Sequence, residues 1–306
     1  MPRTLVQEET EIQERRSLGR SVIAAASALQ ESLGMLISPL VGLPYLIWFA
    51  AQLLLMGAYL SLHTGPAASF WAWFVPGVPA EALRHYPDHL ILMQAVLNRI
   101  EMLLDVIVRC VFHGATIIMI REVFRGRRPG VGDSFGRSIK RYRDLFLVSL
   151  ISAAAVYAVV SAGRQLTAGI TGPARFAAAS AWVAAGLVTQ AFFVYALPYV
   201  VLEGRSFAGA LWGGIKLTAR LATKTILIVL IPFVLTLPTM LLSLKAEMIA
   251  LRLSPGFMIH LHVADKVMEL VSMYLITAGA TVIFMKRTER RVGRGSDTGA
   301  AAGSET

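Results

Sequence analysis

Charged residues are missing from a long part of this chain. Between Glu31 and Glu81 the sequence contains no Asp, Glu, Lys or Arg. A helix of a soluble domain needs a polar face toward water, whereas a bilayer core of about 30 Å needs about 20 apolar residues per crossing. This gap therefore excludes an ordinary soluble domain and predicts a membrane protein.

Cysteine is also scarce. Cys110 is the only one, so an internal disulfide is excluded and cysteine usage does not indicate a redox compartment. No cleaved signal peptide is expected, because residues 1–20 are polar and the first apolar run is too long for a signal sequence. Composition thus favours one membrane domain with short tails.

The charge balance fits a membrane protein. Charged residues make up 16% of the chain and hydrophobic residues 56%, with a mean hydropathy of +0.62. A typical globular chain carries about 25% charged residues. The net charge of +10 is explained by basic cytoplasmic loops. No basic run with interleaved aromatic residues matches a nucleic-acid module, so we expect no nucleic-acid partner.

Six segments are long and apolar enough to cross a bilayer. They are about 36–62, 102–120 with an outward extension to 88, 145–162, 176–202, 225–244 and 263–285. The second and sixth segments must carry charged residues into the bilayer to span it, because their uncharged parts are too short alone. The predicted fold is an all-α polytopic membrane protein with six transmembrane helices.

Basic residues predict the orientation of these spans. Twenty-one of the 29 Lys and Arg residues precede the first span, follow the last one, or lie in 121–144 and 203–224. Cytoplasmic loops carry an excess of Lys and Arg, so both termini are predicted in the cytoplasm and the protein in the inner (plasma) membrane. We divide the chain into a polar segment 1–18, a transmembrane domain 19–288 and a disordered tail 289–306.

The outer loop 63–90 has an aromatic run, Phe70 to Phe74, followed by two prolines. Amphipathic rings prefer the headgroup level of a bilayer. We therefore expect this segment to lie along the outer interface; a lid over a substrate site is the alternative.

Three spans share a similar approach. Gly-X-Ser precedes spans one, three and five, with the serines at Ser21, Ser134 and Ser206. Each serine is a suitable helix N-cap, and apolar residues at helical spacing follow. These patterns predict amphipathic helices at the cytoplasmic interface and a threefold hairpin repeat, with coincidence as the alternative. The basic residues expected to contact anionic lipid headgroups are Arg137, Lys140, Arg141, Arg143, Lys216 and Arg220.

The third copy of this pattern carries a family resemblance. Residues 195–207 contain Pro198, an acidic turn at Glu203 and Ser206, and lead into Leu211 and Leu217. This run resembles the membrane domain attached to some bacterial glycerophosphodiester phosphodiesterases and to related six-span proteins of unknown function. The resemblance covers about 195–230, with fainter echoes at 133–150 and 19–40. It implies a helical membrane domain and no reaction, because the soluble segments are too short for a phosphodiesterase domain.

Span two carries four ionisable residues at four-residue intervals: Glu101, Asp105, Arg109 and His113. Four residues advance an α-helix by about 400°, so all four share one face. The rise per residue places Asp105 about 6 Å and Arg109 about 12 Å below Glu101. Residues Lys266 and Glu269 of span six lie near the same depth. We therefore predict that spans two and six meet through Arg109, Asp105 and Glu269, either as a structural clamp or as a proton or ion relay.

Histidines concentrate on the predicted outer side. His85 and His89 have helical i, i+4 spacing, and His260 and His262 lie near Asp265. Imidazoles with a carboxylate suit zinc or another transition metal, so a metal site is one hypothesis and unconnected interfacial histidines are the other. No catalytic metal motif, Ser–His–Asp or Cys–His arrangement is recognisable, and no cofactor is predicted.

Three function hypotheses follow. The first is a non-enzymatic inner-membrane protein that assists transport or envelope organisation, with a membrane-protein partner or a second copy of the chain. The second is a permease for a small ion or polar solute that uses the charged face of span two. The third is a metal-dependent membrane enzyme that uses the outer histidines. A cavity reaching Asp105 favours the second, clustered histidines under an outer pocket favour the third, and a closed bundle favours the first.

Overall fold

The computed structural model describes residues 5–36, 39–62, 67–74, 81–86, 88–243, 248, 252 and 254–301. In these residues the protein is an all-α polytopic membrane protein without strands. The α-helices are α1 (Leu5–Leu36), α2 (Pro39–Leu62), α3 (Ala67–Trp73), α4 (Asp88–Leu104), α5 (Cys110–Phe124), α6 (Val131–Ile139), α7 (Tyr142–Leu166), α8 (Gly172–Phe193), α9 (Ala196–Glu203), α10 (Phe207–Arg220), α11 (Ala222–Ser243) and α12 (Phe257–Ala301). A 3₁₀ turn covers Ala82–Arg84, and a π-helical turn, Asp105–Arg109, joins α4 to α5.

Within the part of the chain that the structure describes, six helical segments are long and apolar enough to cross a membrane, which confirms the predicted number. Spans one to six are Leu40–Ser61, Asp88–Phe124, Tyr142–Leu166, Ser180–Glu203, Ala222–Leu242 and Phe257–Glu289. Spans two and six contain 37 and 33 residues. At 1.5 Å per residue both exceed a bilayer core of about 30 Å, so each projects beyond it.

The described residues form two large hydrophobic cores and two small clusters. The larger core joins α1, α2, α5, α7 and α9–α12 and includes the fully buried rings of Tyr45, Tyr195 and Tyr274. The smaller core lies around Trp71 and Met93, where α2, α3 and the Ala82–Arg84 turn pack on α4. The projecting part of span two is therefore covered by a separate packed layer rather than left as a bare helix.

The aromatic run of the outer loop divides between this layer and the surface. Trp71 is buried with its ring 5.3 Å from that of Tyr59, centroid to centroid. Phe70 and Trp73 are 58% and 75% exposed. Phe74 is partly buried against the smaller core. The run thus anchors α3 by Trp71 and Phe74 and presents Phe70 and Trp73 outward, which an interfacial position would require. Residues 63–66, 75–80 and 87 of this loop lie outside the described residues.

Spans three and four form a hairpin at the side of the bundle. In the apolar stretch of span three only 11% is buried, compared with 61% in that of span six. The two helices of the hairpin pack closely on each other, since the side chain of Trp182 lies directly over Gly163. Most of the surface of span three therefore faces outward, where lipid is the natural solvent for its apolar residues.

The predicted serine caps are wrong at two of three positions. Helix α1 is continuous through Ser21, so this serine caps nothing. Helix α6 begins after Gly130, and the Ser134 hydroxyl donates to the Gly130 carbonyl (2.7 Å). Only Ser206 precedes its helix as predicted, and its hydroxyl makes no cap hydrogen bond. A Gly-X-Ser pattern therefore did not determine where these helices begin.

A carboxylate from another helix caps α10 instead. The backbone N–H of Phe207 donates to Asp144 Oδ1 of α7 (3.0 Å), and Arg141 Nη1 donates to the Gly204 carbonyl (3.4 Å). These two bonds fasten the beginning of α7 to the turn between α9 and α10. We expect Asp144→Ala to lower the free energy of unfolding by about 1 kcal/mol, the usual cost of a lost cap. Asp144→Asn keeps an acceptor oxygen and should lose less; equal losses in detergent unfolding would contradict the cap.

Helix α6 contacts the bundle through its small residues. Ser134 and Ser138 are buried, and the Ser138 hydroxyl donates to the Val111 carbonyl of α5 (2.8 Å). A Cβ at Gly114 would lie 2.3 Å from Ser138 Oγ, so glycine is required for this close approach. Of the apolar residues that follow Ser134 at helical spacing, Ile139 is 58% exposed, whereas the Phe135 ring lies 5.3 Å from the Phe112 ring of α5, centroid to centroid. Only part of this predicted apolar face therefore contacts the bundle.

The C-terminal segment differs from its prediction. Helix α12 continues to Ala301, whereas composition predicts disorder over 289–306. No proline occurs after Pro255, so nothing covalent ends the helix once span six has formed. Residues 302–306 lie outside the described residues, and so do residues 1–4 of the predicted polar segment 1–18, in which α1 begins at Leu5.

Candidate functional site

Arg109 is the centre of a charged contact between spans two and six. Its side chain is 3% exposed, and Nη1 lies 2.8 Å from both Asp105 Oδ2 and Glu269 Oε1. This is the contact that helix depth predicts, and it is confirmed. Arg109 faces the bundle interior rather than lipid, so its charge is balanced by two carboxylates.

The contact continues into a longer set of ion pairs. Lys266 Nζ lies 2.9 Å from Glu269 Oε2 and also contacts Glu101 Oε2. His262 Nε2 lies 3.7 Å from Glu101 Oε1. We name this set the ion-pair chain; in order of contact it consists of His262, Glu101, Lys266, Glu269, Arg109 and Asp105.

Basic and acidic groups alternate along the ion-pair chain. Lys266 and Arg109 each contact two carboxylates, and Glu101 and Glu269 each contact two basic groups. Moving an isolated ion from water to a low-dielectric interior is costly, and removing one partner of a buried pair leaves an uncompensated charge. The ion-pair chain therefore fixes the register between spans two and six, because sliding one helix by a turn would separate the three pairs that join them, Arg109–Glu269, Lys266–Glu101 and His262–Glu101.

A π-helical turn shapes span two at this site. Asp105–Arg109 forms it, between the α-helical segments α4 and α5. A π turn accommodates one extra residue per turn and is frequent at functional sites. No proline or glycine lies in this segment, so the sequence carried no signal for the turn. The prediction that four residues share one uninterrupted α-helical face is wrong in this respect.

The fourth member of the predicted stripe belongs to a separate group. His113 Nδ1 lies 2.7 Å from Tyr45 Oη of span one and 3.0 Å from Thr277 Oγ1 of span six. Tyr45 Oη donates to Thr277 Oγ1 over 2.9 Å. This neutral triad ties three spans together one turn beyond Arg109. Sequence reasoning missed Tyr45 and Thr277; a tyrosine inside an apolar span was the available signal, since a buried hydroxyl needs a partner.

A cavity opens beside these groups. It measures about 310 Å³ and lies between spans two, three, four and six. Asp105, Arg109 and His113 supply its charged and imidazole lining, Ser152 and Gln190 add neutral polar groups, and most of the remaining wall is apolar. The ion-pair chain and the triad of Tyr45, His113 and Thr277 thus both contribute residues to the wall of one cavity among four spans.

The predicted metal site is not assembled. Across the described residues, no three His, Cys, Asp or Glu side chains lie close enough to hold a metal ion. His262 turns toward Glu101, His260 stacks on Phe257, and His89 Nδ1 lies 3.3 Å from the His85 carbonyl. The four histidines therefore serve different contacts, and the hypothesis of a metal-dependent enzyme has no geometric basis here.

The basic residues predicted to contact headgroups are all exposed. Three of them also have protein partners: Arg137 lies 3.4 Å from Glu122, Arg141 contacts Gly204, and Lys216 lies 4.7 Å above the Trp212 ring. Their exposure leaves the charged groups accessible at the end of the bundle near Arg121. Contact with lipid headgroups stays a prediction.

Comparison with protein-family models, with curated proteins and with solved structures finds no match for this chain. The resemblance to the membrane domain of glycerophosphodiester phosphodiesterases therefore stays a prediction. Any conclusion about function depends on the geometry of the ion-pair chain and of the cavity.

Proposed function

We propose that this protein is a non-enzymatic membrane protein that carries a small ion or polar solute across the bilayer. The observation that supports this proposal is the cavity of about 310 Å³ with Asp105 and Arg109 in its wall. Ionisable side chains inside a membrane are costly, and those that occur mark solute pathways or proton relays by default. A bundle without a cavity would favour a purely organising role, whereas this bundle contains one.

The size and lining of the cavity are suited to one small solute. Ligand pockets typically have volumes of about 300–1,000 Å³ with apolar walls and a few convergent polar groups. This cavity lies at the lower end of that range and has the same kind of lining. Its position at the span three–four hairpin also matters, because span three has the smallest buried share of the six spans and is therefore the least enclosed wall of the cavity.

We also propose that the protein resides in an inner (plasma) membrane with both termini in the cytoplasm. The excess of Lys and Arg near the termini and in the loops 121–144 and 203–224 supports this orientation. The exposed basic residues of α6 and α10 would then face the anionic inner leaflet.

A flux assay with purified protein in liposomes tests the transport proposal. The probes are four small, poorly permeant solutes in radiolabelled form: tetramethylammonium, methanesulfonate, glycine and erythritol. We expect at least one to enter faster than into protein-free liposomes. We expect Asp105→Asn to reduce that flux at least tenfold, because Asp105 lines the cavity while Arg109 keeps Glu269 as a partner.

The matched control is Asp133→Asn. Asp133 is exposed on α6, away from the cavity lining, so its replacement should leave the flux unchanged. Flux that stays at the protein-free rate for all four probes would overturn the proposal. An unchanged rate in Asp105→Asn would also overturn it, because the pathway would then not pass this cavity.

A further inference from the structure

The ion-pair chain contains three carboxylates and only two permanent cations. Glu101, Asp105 and Glu269 face Lys266 and Arg109, so the chain carries one excess negative charge when His262 is neutral. An unbalanced charge in a low-dielectric interior is strongly unfavourable. One additional positive charge is therefore required, either a proton or another cation.

Among the described residues, the helices that pack against the ion-pair chain do not supply that charge. Helix α2 has no acidic, basic or imidazole side chain; its polar groups, which include Tyr45, Gln52 and Tyr59, are uncharged. Helix α11 contacts this end of α12 through Thr239, whose hydroxyl donates to Asp265 (2.8 Å). Its only charged residue, Lys224, lies near the other end of α11. On α4, Arg99 donates to the Phe74 carbonyl (3.0 Å) and His89 Nδ1 lies 3.3 Å from the His85 carbonyl. On α5, His113 is held by Tyr45 and Thr277.

His262 lies at one end of the ion-pair chain and is suited to a proton. It is 2% exposed, and neither ring nitrogen makes a hydrogen bond within the described part of the chain. Its Nε2 lies 3.7 Å from Glu101 Oε1, so a proton on the ring creates an ion pair with that carboxylate. One proton on His262 brings the ion-pair chain to zero net charge.

Asp105 lies at the other end and faces the cavity. Its side chain is 30% exposed, whereas His262 is nearly enclosed. A cation in the cavity beside Asp105 would equally cancel the excess charge. The largely apolar wall favours a cation with an apolar body, such as a methylated ammonium group, over a strongly hydrated metal ion.

We infer that the protein exchanges one proton held by His262 for one small organic cation bound beside Asp105. This inference rests on the proposed transport function and names its substrate class and coupling ion. When the organic cation binds, Arg109 pairs more fully with Glu269, and Lys266 pairs more fully with Glu101. The proton on His262 then becomes the excess positive charge and leaves to water. One positive charge enters and one leaves, and no covalent bond other than N–H changes.

Proton movement driven by tetramethylammonium tests the exchange. Proteoliposomes contain the pH-sensitive dye pyranine in weak buffer, and tetramethylammonium chloride is added outside. This probe carries a permanent charge and no transferable proton. We expect the lumen to become alkaline as the cation enters and protons leave. His262→Asn should slow this change at least tenfold while tetramethylammonium self-exchange persists; His260→Asn, an exposed neighbour on α12, should match the unmodified protein.

A measurement on the unmodified protein guards against a variant that does not fold. Saturating detergent-solubilised protein with tetramethylammonium in weak buffer should release up to one proton per protein molecule. Binding without proton release, or unchanged proton movement in His262→Asn, would overturn the inference. Flux of glycine, erythritol or methanesulfonate without flux of tetramethylammonium would overturn it too and leave the transport proposal intact. Absence of flux for all four probes would overturn both.

Discussion

Arg109→Gln should be the most destabilising single substitution in the bundle interior. We expect it to lower the free energy of unfolding by about 3–5 kcal/mol, the usual cost of removing one partner from a buried ion pair. Arg109 Nη1 is the shared partner of Asp105 and Glu269, so its loss leaves Asp105 without a cation and Glu269 with Lys266 alone. Unfolding in mixed detergent and dodecyl sulfate micelles measures the effect.

Neutralising the partners as well should restore most of this stability. In the triple variant Arg109→Gln, Asp105→Asn, Glu269→Gln, no uncompensated charge remains at these positions, and amides of similar shape fill the same space. The large cost of breaking a buried ion pair comes from the uncompensated charge that is left, and neutralising all partners removes that charge. The triple variant should therefore be more stable than Arg109→Gln although it carries two more substitutions.

The comparison also separates a clamp from a transport element. If the charges only hold two helices together, the restored triple variant should keep its solute flux. We expect the flux to stay at least tenfold reduced, because the excess charge that selects a cation has been removed. Arg164→Gln is the control; this exposed arginine at the end of α7 should change stability by no more than about 0.5 kcal/mol. If Arg109→Gln were as stable as the unmodified protein, the role given to Arg109 would be contradicted.

The sequence predicted the pairs that depend on depth along a helix. Asp105 and Arg109 are four residues apart, and Glu269 is the acidic residue of span six at a similar distance from the basic end of the bundle. Both relations follow from the rise of an α-helix and from the need to neutralise a buried arginine. Hydropathy located the six spans because the thickness of the bilayer sets the number of apolar residues that each crossing needs.

Features that depend on how helices cross were not predictable. The cavity lies where the α7–α8 hairpin leaves space beside α5 and α12, and no local pattern encodes how these helices cross. His262 was assigned to a metal site by its neighbours in sequence, whereas its partner Glu101 is 161 positions away. The cap of α10 comes from Asp144 in another helix, so the local signal at Ser206 indicated the place and not the interaction.

Filling the cavity should abolish transport without unfolding the protein. Ala153 of α7 lines the cavity, and we expect Ala153→Trp to reduce solute flux to the protein-free rate. An indole placed there occupies a large share of about 310 Å³, next to Asp105 and Arg109. Because the substitution enters existing space, it avoids the strain that a larger side chain causes in a close-packed core. The same four radiolabelled probes in proteoliposomes measure the effect.

Ala154→Trp provides the matched control for this substitution. Ala154 is the next residue of α7, is exposed, and does not line the cavity. One residue turns the helix by about 100°, so the same indole then points toward lipid, where an aromatic side chain is well tolerated. Flux through Ala154→Trp should match that of the unmodified protein. If both variants lose flux equally, the loss reflects disturbed packing of span three; if Ala153→Trp transports normally, the solute does not pass through this chamber.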